Sequence, residues 1–439
     1  MNHDQSSAMS TPASHIRTLT ESARQLAKIG NLADAEKVYE QILEAAPYHI
    51  RSMNFLATRA LERGDSSRAR ALYERALEVD AKRPIIHQNL GIVLLSENDL
   101  AGALHAFVTA TNLRADFIYS WIHQGNIHKQ AGRNADALYA YSRALKLLPS
   151  VSATLADTKI PEGKRTLIRD AAIALYSMKY AVFREALSDV IKEYGETNLT
   201  RVLDCARFKA GHATPEYSHA LQRPDWLYMP GIDAQAFFDT GEFQWIPELE
   251  SHSAEIRTEL LQLLEKQDVL QPYVNIDSED SRQWQNLNHS KAWGSYHLYR
   301  GGEPLPDNCA DCPKTARILS KLPLIKIAGH ASEAFFSILQ PGTHIPPHNG
   351  LGNYKLAVHL PLVIPEGCAI RVGYETRTWT EGKCMIFDDS FQHEAWNKSQ
   401  QIRAVLIFEI WNPALTQAER SGMSALAIAA GEFQSKYEI

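Results

Sequence analysis

A spacing of 34 residues runs through the first third of the chain. Ala35, Ala69, Ala103 and Ala137 fall on it, and so do Tyr39, Tyr73, Phe107 and Tyr141. Gly30, Gly64, Asn98 and Gly132 form a third register. Ala23, Ala57, Gly91 and Gly125 form a fourth, and Pro47, Ala81, Ala115 and Pro149 a fifth. Five registers in phase restrict this stretch to stacked copies of one supersecondary unit. The residue types say which unit. Small residues (Ala23, Ala57, Gly91, Gly125) let two helices approach closely. Gly or Asn at the turn supplies a left-handed helix terminus. The aromatic register fills the space between neighbouring helices, and Pro47 and Pro149 stop the second helix of their units.

This pattern resembles the tetratricopeptide repeat over residues 16–150, with four repeats. The resemblance implies an α-solenoid whose concave face binds a peptide or protein. The alternative is an array that only braces the rest of the chain or holds oligomers together. Residues 1–15 are small and polar and read as a disordered leader. Residues 151–220 keep a helical apolar spacing but lose the 34-residue register, which predicts a helical cap or linker. At 223–239 the texture changes to aromatic, Pro and Gly, so the domain boundary is expected near residue 220. A further helix is expected over 253–267, and a helical tail over 416–439.

Bulk properties exclude several classes. The chain has 439 residues and a formal net charge of -6, with no run of five like charges, so nothing suggests a nucleic-acid partner. No stretch approaches the length of an apolar membrane span. A cytoplasmic protein is the expectation. Five cysteines make an odd set for a secreted disulfide framework. Cys309 and Cys312 form a lone C-x-x-C, read as structural thiols, with a redox pair or a metal site as alternatives. Cys205, Cys368 and Cys384 read as small core residues.

From about residue 293 the chain reads as short strands split by Gly, Pro and Asn. Residues 333–340, 354–363, 368–373, 383–388 and 402–411 are rich in β-branched, aromatic and aliphatic side chains. In the second, Lys355, Ala357 and His359 share one face, while Leu356, Val358 and Leu360 share the other. Such strands suggest a barrel or sandwich. His348 ends a Pro-rich turn, His393 follows a strand 45 residues later, and Arg403 lies on the next strand. Two imidazoles suit Fe(II) and leave positions open for a co-substrate and O₂. A guanidinium fork suits the distal carboxylate of 2-oxoglutarate. Spacing alone also fits ordinary hydrogen-bonding histidines. No carboxylate stands two residues after His348, where Gly350 lies.

The segment from PGTHIPPHNG through KLAVHLPLV and DDSFQHEAW to FEIWNP resembles the aspartyl/asparaginyl β-hydroxylase family. The match runs at least from Phe335 to Pro413 and more loosely back to Leu227. The resemblance implies a double-stranded β-helix (jelly-roll, cupin-like) domain over 221–415 and a multidomain α + β chain. It implies a dioxygenase that uses Fe(II), 2-oxoglutarate and O₂ to hydroxylate an unactivated carbon. By the same resemblance His348 and His393 are the iron ligands, Gly350 standing where the family also lacks a carboxylate. Arg403 is the residue that holds the 2-oxoglutarate carboxylate. His359 and Ser337 are co-substrate contacts, and Trp293 a further pocket residue. Animal members also carry tetratricopeptide repeats ahead of the catalytic domain.

One departure bears on the substrate. The family's aspartyl hydroxylases have an arginine two residues before the in-strand histidine, where this chain has Ala357. Lys355 lies on the same face. The best expectation for the substrate is the β-carbon of an Asp or Asn residue in a polypeptide held by the repeats. Alternatives are a free or carrier-bound amino acid, another small molecule, or a repeat scaffold with an inactive oxygenase domain. Asp388 and Asp389 read as turn-forming acceptors, His344 as a turn or supporting residue, and Trp379, Trp396 and Trp411 as core.

Overall fold

In a computed structural model the described residues are 12–277 and 282–438. They fall into two compact units. One runs up to Met178 and takes in the residues from Lys436, and the other spans Lys179–Ser435. Of the leader expected over 1–15, residues 1–11 lie outside the described residues, and Pro12 already opens a helix.

The first unit is built from consecutive helix pairs. Its helices are α1 (Pro12–Lys28), α2 (Leu32–Ala45), α3 (Ile50–Glu62), α4 (Ser66–Val79), α5 (Pro84–Ser96), α6 (Leu100–Leu113), α7 (Ile118–Gln130) and α8 (Asn134–Lys146). Each pair turns on one residue with positive φ: Gly30 at 81°, Gly64 at 82°, Asn98 at 61° and Gly132 at 72°. This is the left-handed terminus expected of the third register. In three of the pairs the next residue, Asn31, Asp65 or Asp99, caps the second helix by accepting from a backbone N–H three residues on. The four alanines of the first register and the four rings of the aromatic register are all buried. A Cβ at Gly91 would sit 2.7 Å from the Phe107 ring, and one at Gly125 would sit 2.5 Å from Tyr141. The small-residue register is therefore a steric requirement of the aromatic one. Two further helices follow, α9 (Val151–Ala156) and α10 (Glu162–Ala186).

The boundary expected near residue 220 falls earlier, because the units divide after Met178. The helices α11 (Ser188–Tyr194) and α12 (Thr200–Ala210) pack inside the second unit. One guanidinium contributes to this, beside the buried apolar face of α12. Arg201 on α12 holds both oxygens of Glu419, at 2.6 and 2.7 Å, and donates to the carbonyls of Gly231 and Ala414. Glu419 belongs to the C-terminal helix Gln417–Tyr437, which occupies most of the tail expected to be helical.

The second unit carries two antiparallel sheets. Its strands are β1 (Phe237–Phe238), β2 (Gln271–Pro272), β3 (Trp293–Arg300), β4 (Glu303–Pro304), β5 (Ala334–Leu339), β6 (His344–His348), β7 (Lys355–Val363), β8 (Cys368–Val372), β9 (Glu375–Arg377), β10 (Met385–Phe387), β11 (His393–Asn397) and β12 (Arg403–Trp411). The large sheet has the order β1-β10-β7-β12-β5-β3-β2, with β4 on β3, and the small one β6-β11-β8-β9. Two antiparallel sheets agree with the jelly-roll expectation. On the large sheet Leu356, Val358, Leu360, Phe336, Ile338, Leu406 and Phe408 pack against Ile256, Leu260 and Leu263 of the helix Ser253–Leu264. The opposite face meets the small sheet through Trp293, Leu339, Ala357, Phe387, Ile345, Ile370 and Ala395. The alternation seen in residues 355–360 thus sends every second side chain of β3, β5, β7 and β12 into the space between the sheets.

His348 does not end a turn. It ends strand β6, which lies at the edge of the small sheet, where Pro346 and Pro347 cost no ladder hydrogen bonds. His393, which follows strand β10 as expected, itself opens the next strand, β11.

The contact between the small and aromatic registers predicts a non-additive mutant cycle. Phe107→Ala should destabilise the repeats by about 3–5 kcal/mol. Gly91→Val should cost about 1–3 kcal/mol by overpacking the same ring. The double variant should cost clearly less than the sum, because removing the ring makes room for valine. Chemical unfolding followed by far-UV circular dichroism measures all three, and strict additivity would show that the two positions do not touch.

Candidate active site

Between the sheets lies a cavity of about 510 Å³. The large sheet lines it with Trp293 from β3, Phe335 and Ser337 from β5, Lys355, Ala357 and His359 from β7, and Arg403, Ile407 and Glu409 from β12. The small sheet adds Ile345 and His348 from β6, and His393 and Ala395 from β11. All six candidate residues (His348, His393, Arg403, His359, Ser337 and Trp293) line this one cavity.

The histidines are a cross-strand pair. His393 stands directly opposite His348 in the β11–β6 register, and the ring centroids lie 4.0 Å apart. Each Nδ1 lies 2.9 Å from a backbone carbonyl, that of Pro346 for His348 and that of Phe391 for His393. A carbonyl only accepts, so each Nδ1 carries the proton and each Nε2 keeps its lone pair. Burial, aided for His348 by the neighbouring His393, pulls the His348 pKa down to about 3. Burial pulls His393 down to about 4. Both rings are thus neutral, with fixed tautomers, which is the state a metal-binding imidazole needs. Among the described residues no group of three or more His, Cys, Asp or Glu side chains converges as a metal site.

Arg403 is fully buried, and burial brings its pKa down to about 10. Its Nη1 reaches Ser337 Oγ at 3.3 Å, and its guanidinium lies 5.0 Å over the Trp379 ring. No carboxylate pairs with it among the described residues, and its Nε has no partner. His359 stands beside it between Trp379 and Phe387, with Nδ1 also unpartnered. Burial and then the charge of Arg403 hold His359 well below its ordinary pKa. Ser337 Oγ accepts from Trp293 Nε1 at 3.0 Å as well as from Arg403. With both lone pairs used, its own proton is free to donate. A buried, unpaired guanidinium among unmet polar groups is a costly arrangement, and it fits a ligand carboxylate.

The remaining wall was less legible in the sequence. Tyr273 stacks on Trp293 at 4.1 Å and on Phe335 at 5.1 Å, and Trp284 lies 5.0 Å from the His348 ring. Asp389 is no mere turn residue. Its carboxyl lines the cavity, 3.7 Å from Lys355, while Asp388 does play the turn role by accepting from Ser390 N. Gly350 leaves room for Asp389, since a Cβ there would sit 2.3 Å from its carboxyl carbon. Lys355 is buried in an ion pair with Glu409. Strand alternation along β12 from Arg403 is the signal that leads to Glu409. Trp379, Trp396 and Trp411 do not cluster. Trp379 underlies Arg403, Trp396 contacts His344, and Trp411 contacts Tyr354. His344 lies outside the cavity, paired with Glu394 at 2.7 Å. Cys309 and Cys312 are free thiols at the edge of the helix-facing core.

Residues 250–413 match the family model described as Aspartyl/Asparaginyl beta-hydroxylase, and residues 56–116 match a Tetratricopeptide repeat model. The mouse protein named "Aspartyl/asparaginyl beta-hydroxylase" is 27% identical over 94% of this chain and 56% of its own length. The human protein of that name is 36% identical over 50% of this chain and 28% of its own. The Rhizobium tropici protein named "Ornithine lipid ester-linked acyl 2-hydroxylase" is 34% identical over 41% of this chain and 62% of its own. The chain thus spans between about a quarter and two thirds of these relatives. It carries a domain of the aspartyl/asparaginyl β-hydroxylase family behind tetratricopeptide repeats, and hydroxylation is the activity its relatives' names share.

The buried ion pair yields a stability prediction. Lys355→Met leaves Glu409 buried without its cation and should cost about 3–5 kcal/mol. Lys355→Met combined with Glu409→Leu should be markedly less destabilising than Lys355→Met alone. Thermal unfolding of the three proteins measures this, and equal losses in the single and double variants would refute the buried-pair assignment.

Proposed function

We propose that the second unit is an Fe(II)- and 2-oxoglutarate-dependent dioxygenase that hydroxylates an unactivated carbon. The observation that carries this reading is the shared cavity. It holds two neutral imidazoles with free Nε2 lone pairs and a buried guanidinium with no carboxylate of its own. His348 and His393 would hold the metal, and Arg403 the distal carboxylate of 2-oxoglutarate. When bound, iron and 2-oxoglutarate would supply O₂ activation, one oxygen atom going to the substrate carbon and the other to succinate as CO₂ leaves.

The chain's own contribution is positioning and exclusion of water. The carbonyls of Pro346 and Phe391 orient the two imidazoles. Trp379 fixes the plane of the Arg403 guanidinium, and the Ser337 hydroxyl has its proton free for a carboxylate oxygen. His359, kept neutral by burial, adds a polar edge without competing charge. The stacked rings of Tyr273, Trp293 and Phe335 give part of the space an apolar wall that displaces water, and charged contacts beside such a wall are stronger.

The repeats support a residue of a partner polypeptide as substrate, and the relatives' names, taken alone, would make that residue an Asp or Asn. A second reading, hydroxylation of a free or carrier-bound amino acid or another small molecule, draws on Ala357 and on the name of the Rhizobium relative.

Two outcomes test this function. His348→Ala and His393→Ala should each abolish iron-dependent formation of succinate from 2-oxoglutarate, because one imidazole holds the metal poorly. Full turnover in either variant would sink the metal assignment. Arg403→Ala should weaken 2-oxoglutarate binding to the metal-loaded protein by about 2–5 kcal/mol while metal binding persists. Titration calorimetry reads the affinity, and an unchanged value would move the carboxylate contact to another cation.

A further inference from the structure

Among the described residues Lys355 is the one ammonium lining the cavity, and it is already committed. It is buried, ion-paired with Glu409, and 3.7 Å from Asp389 Oδ2. Burial alone would pull its pKa down, yet Asp389 and Glu409 together hold it above its ordinary value. A substrate carboxylate would have to displace a carboxylate of the chain to reach it.

The carboxylates of this wall are not all matched in return. Glu409 pairs with Lys355 through Oε1 and accepts from the Glu333 N–H through Oε2. Asp389 leaves Oδ1 buried with no donor among the described residues. Glu333 also lines the cavity, accepting from Gly301 N–H and facing His297 Nε2 at 3.1 Å. His297 itself does not line the cavity, and its Nδ1 lies 3.0 Å from the Arg300 guanidinium. Arg300 is 4.0 Å from Glu333 and well exposed, so water screens that pair. Apart from Arg403, the described residues of the lining set three carboxylates against one ammonium. Tyr273, Trp284, Trp293 and Phe335 stand in the same lining. Carboxylates set among aromatic faces recognise cations.

We propose that the substrate brings an ammonium or guanidinium group on an alkyl chain to the wall of Asp389, Glu409 and Glu333, and that this wall rejects an aspartyl carboxylate. The inference rests on the cavity being the hydroxylase site. It selects a basic side chain as the substrate's recognition element by attraction and excludes an acidic one by like-charge repulsion. Ala357, opposite Glu409 in the sheet register, adds no opposing cation.

The test uses the full chain and five acetylated, amidated pentapeptides of the form Ala-Ala-X-Ala-Ala, where X is Lys, Arg, Asp, Asn or Leu. Binding is read by quenching of tryptophan fluorescence without added metal. Turnover is read as a +16 mass shift with Fe(II) and 2-oxoglutarate. The expected result is that the Lys or Arg peptide binds about tenfold or more tightly than the Leu peptide, and the Asp peptide more weakly than Leu. Glu333→Gln, which keeps an acceptor for Gly301 N–H, should shrink the preference for Lys over Leu severalfold. Equal binding of all five, no binding of any, or a preference for Asp overturns the proposal. Hydroxylation of the Asp peptide would remove the cation proposal and leave the hydroxylase reading standing. Tight binding of the basic peptides with no mass shift and no succinate from any peptide would do the reverse.

Discussion

The imidazole pair at the centre of the site depends on one antiparallel pairing, the register that sets His393 opposite His348. A strand has a period of two, so a slip of one residue would turn one imidazole out of the cavity and bring Glu394 into its place. The register is held on both sides. β11 pairs with β8 from His393–Val372 to Asn397–Cys368, and an irregularity after His393 lets Ala395 meet Ile345 on β6. Asn397 locks the far end by donating to the carbonyls of Leu339 and Gln401 while accepting from Ser399. The small sheet's geometry is thus tied to β5 of the large one, which also carries Ser337.

The large sheet applies the same period to a different end. Along β12, Arg403, Ile407 and Glu409 face the cavity while Leu406 and Phe408 face the helices. One strand therefore delivers a guanidinium near one end of the cavity wall and a carboxylate six residues on. The apolar face absorbs the strands into a core around the helix Ser253–Leu264, and that burial is what makes it tolerable to hold Arg403, Lys355, Glu409 and His359 in the opposite face. The charges offset one another only in part. Lys355 and Glu409 form a pair, whereas Arg403 and Asp389 Oδ1 keep unmet capacity.

Repetition made the first unit legible in the sequence, since each register reports one steric demand four times. The positive φ at Gly30, Gly64, Asn98 and Gly132 and the close approach of Gly91 to Phe107 are those demands read back from the fold. In the second unit the long strands 355–363 and 403–411 were equally clear, the first because its faces alternate from Lys355 to Leu360, the second because it is a nearly unbroken run of aliphatic, β-branched and aromatic residues. Strand β6 was not, because HIPPH has the composition of a turn and only its place at a sheet edge makes it a strand. The domain boundary was also hidden. The texture change near 220 is real, but among the contacts that hold α12 in the second unit is that of Arg201, whose partner Glu419 lies 218 residues away. No local pattern carries a contact of that range.

The charged wall of the cavity was hidden for the same reason, and it alters what the motif residues mean. Read along the chain, Lys355 is a free cation two residues from Ala357 and suited to a substrate carboxylate. In the fold it is spent on Glu409 and Asp389, residues 54 and 34 positions away that no spacing rule connects to it. The imidazole pair and Arg403 can be carried by local motifs, because each needs only its own strand and turn. Selectivity is carried by the sum of charges that several strands bring together, so it can change while those motifs stay intact. A domain can then keep the machinery of hydroxylation and take a substrate of opposite charge.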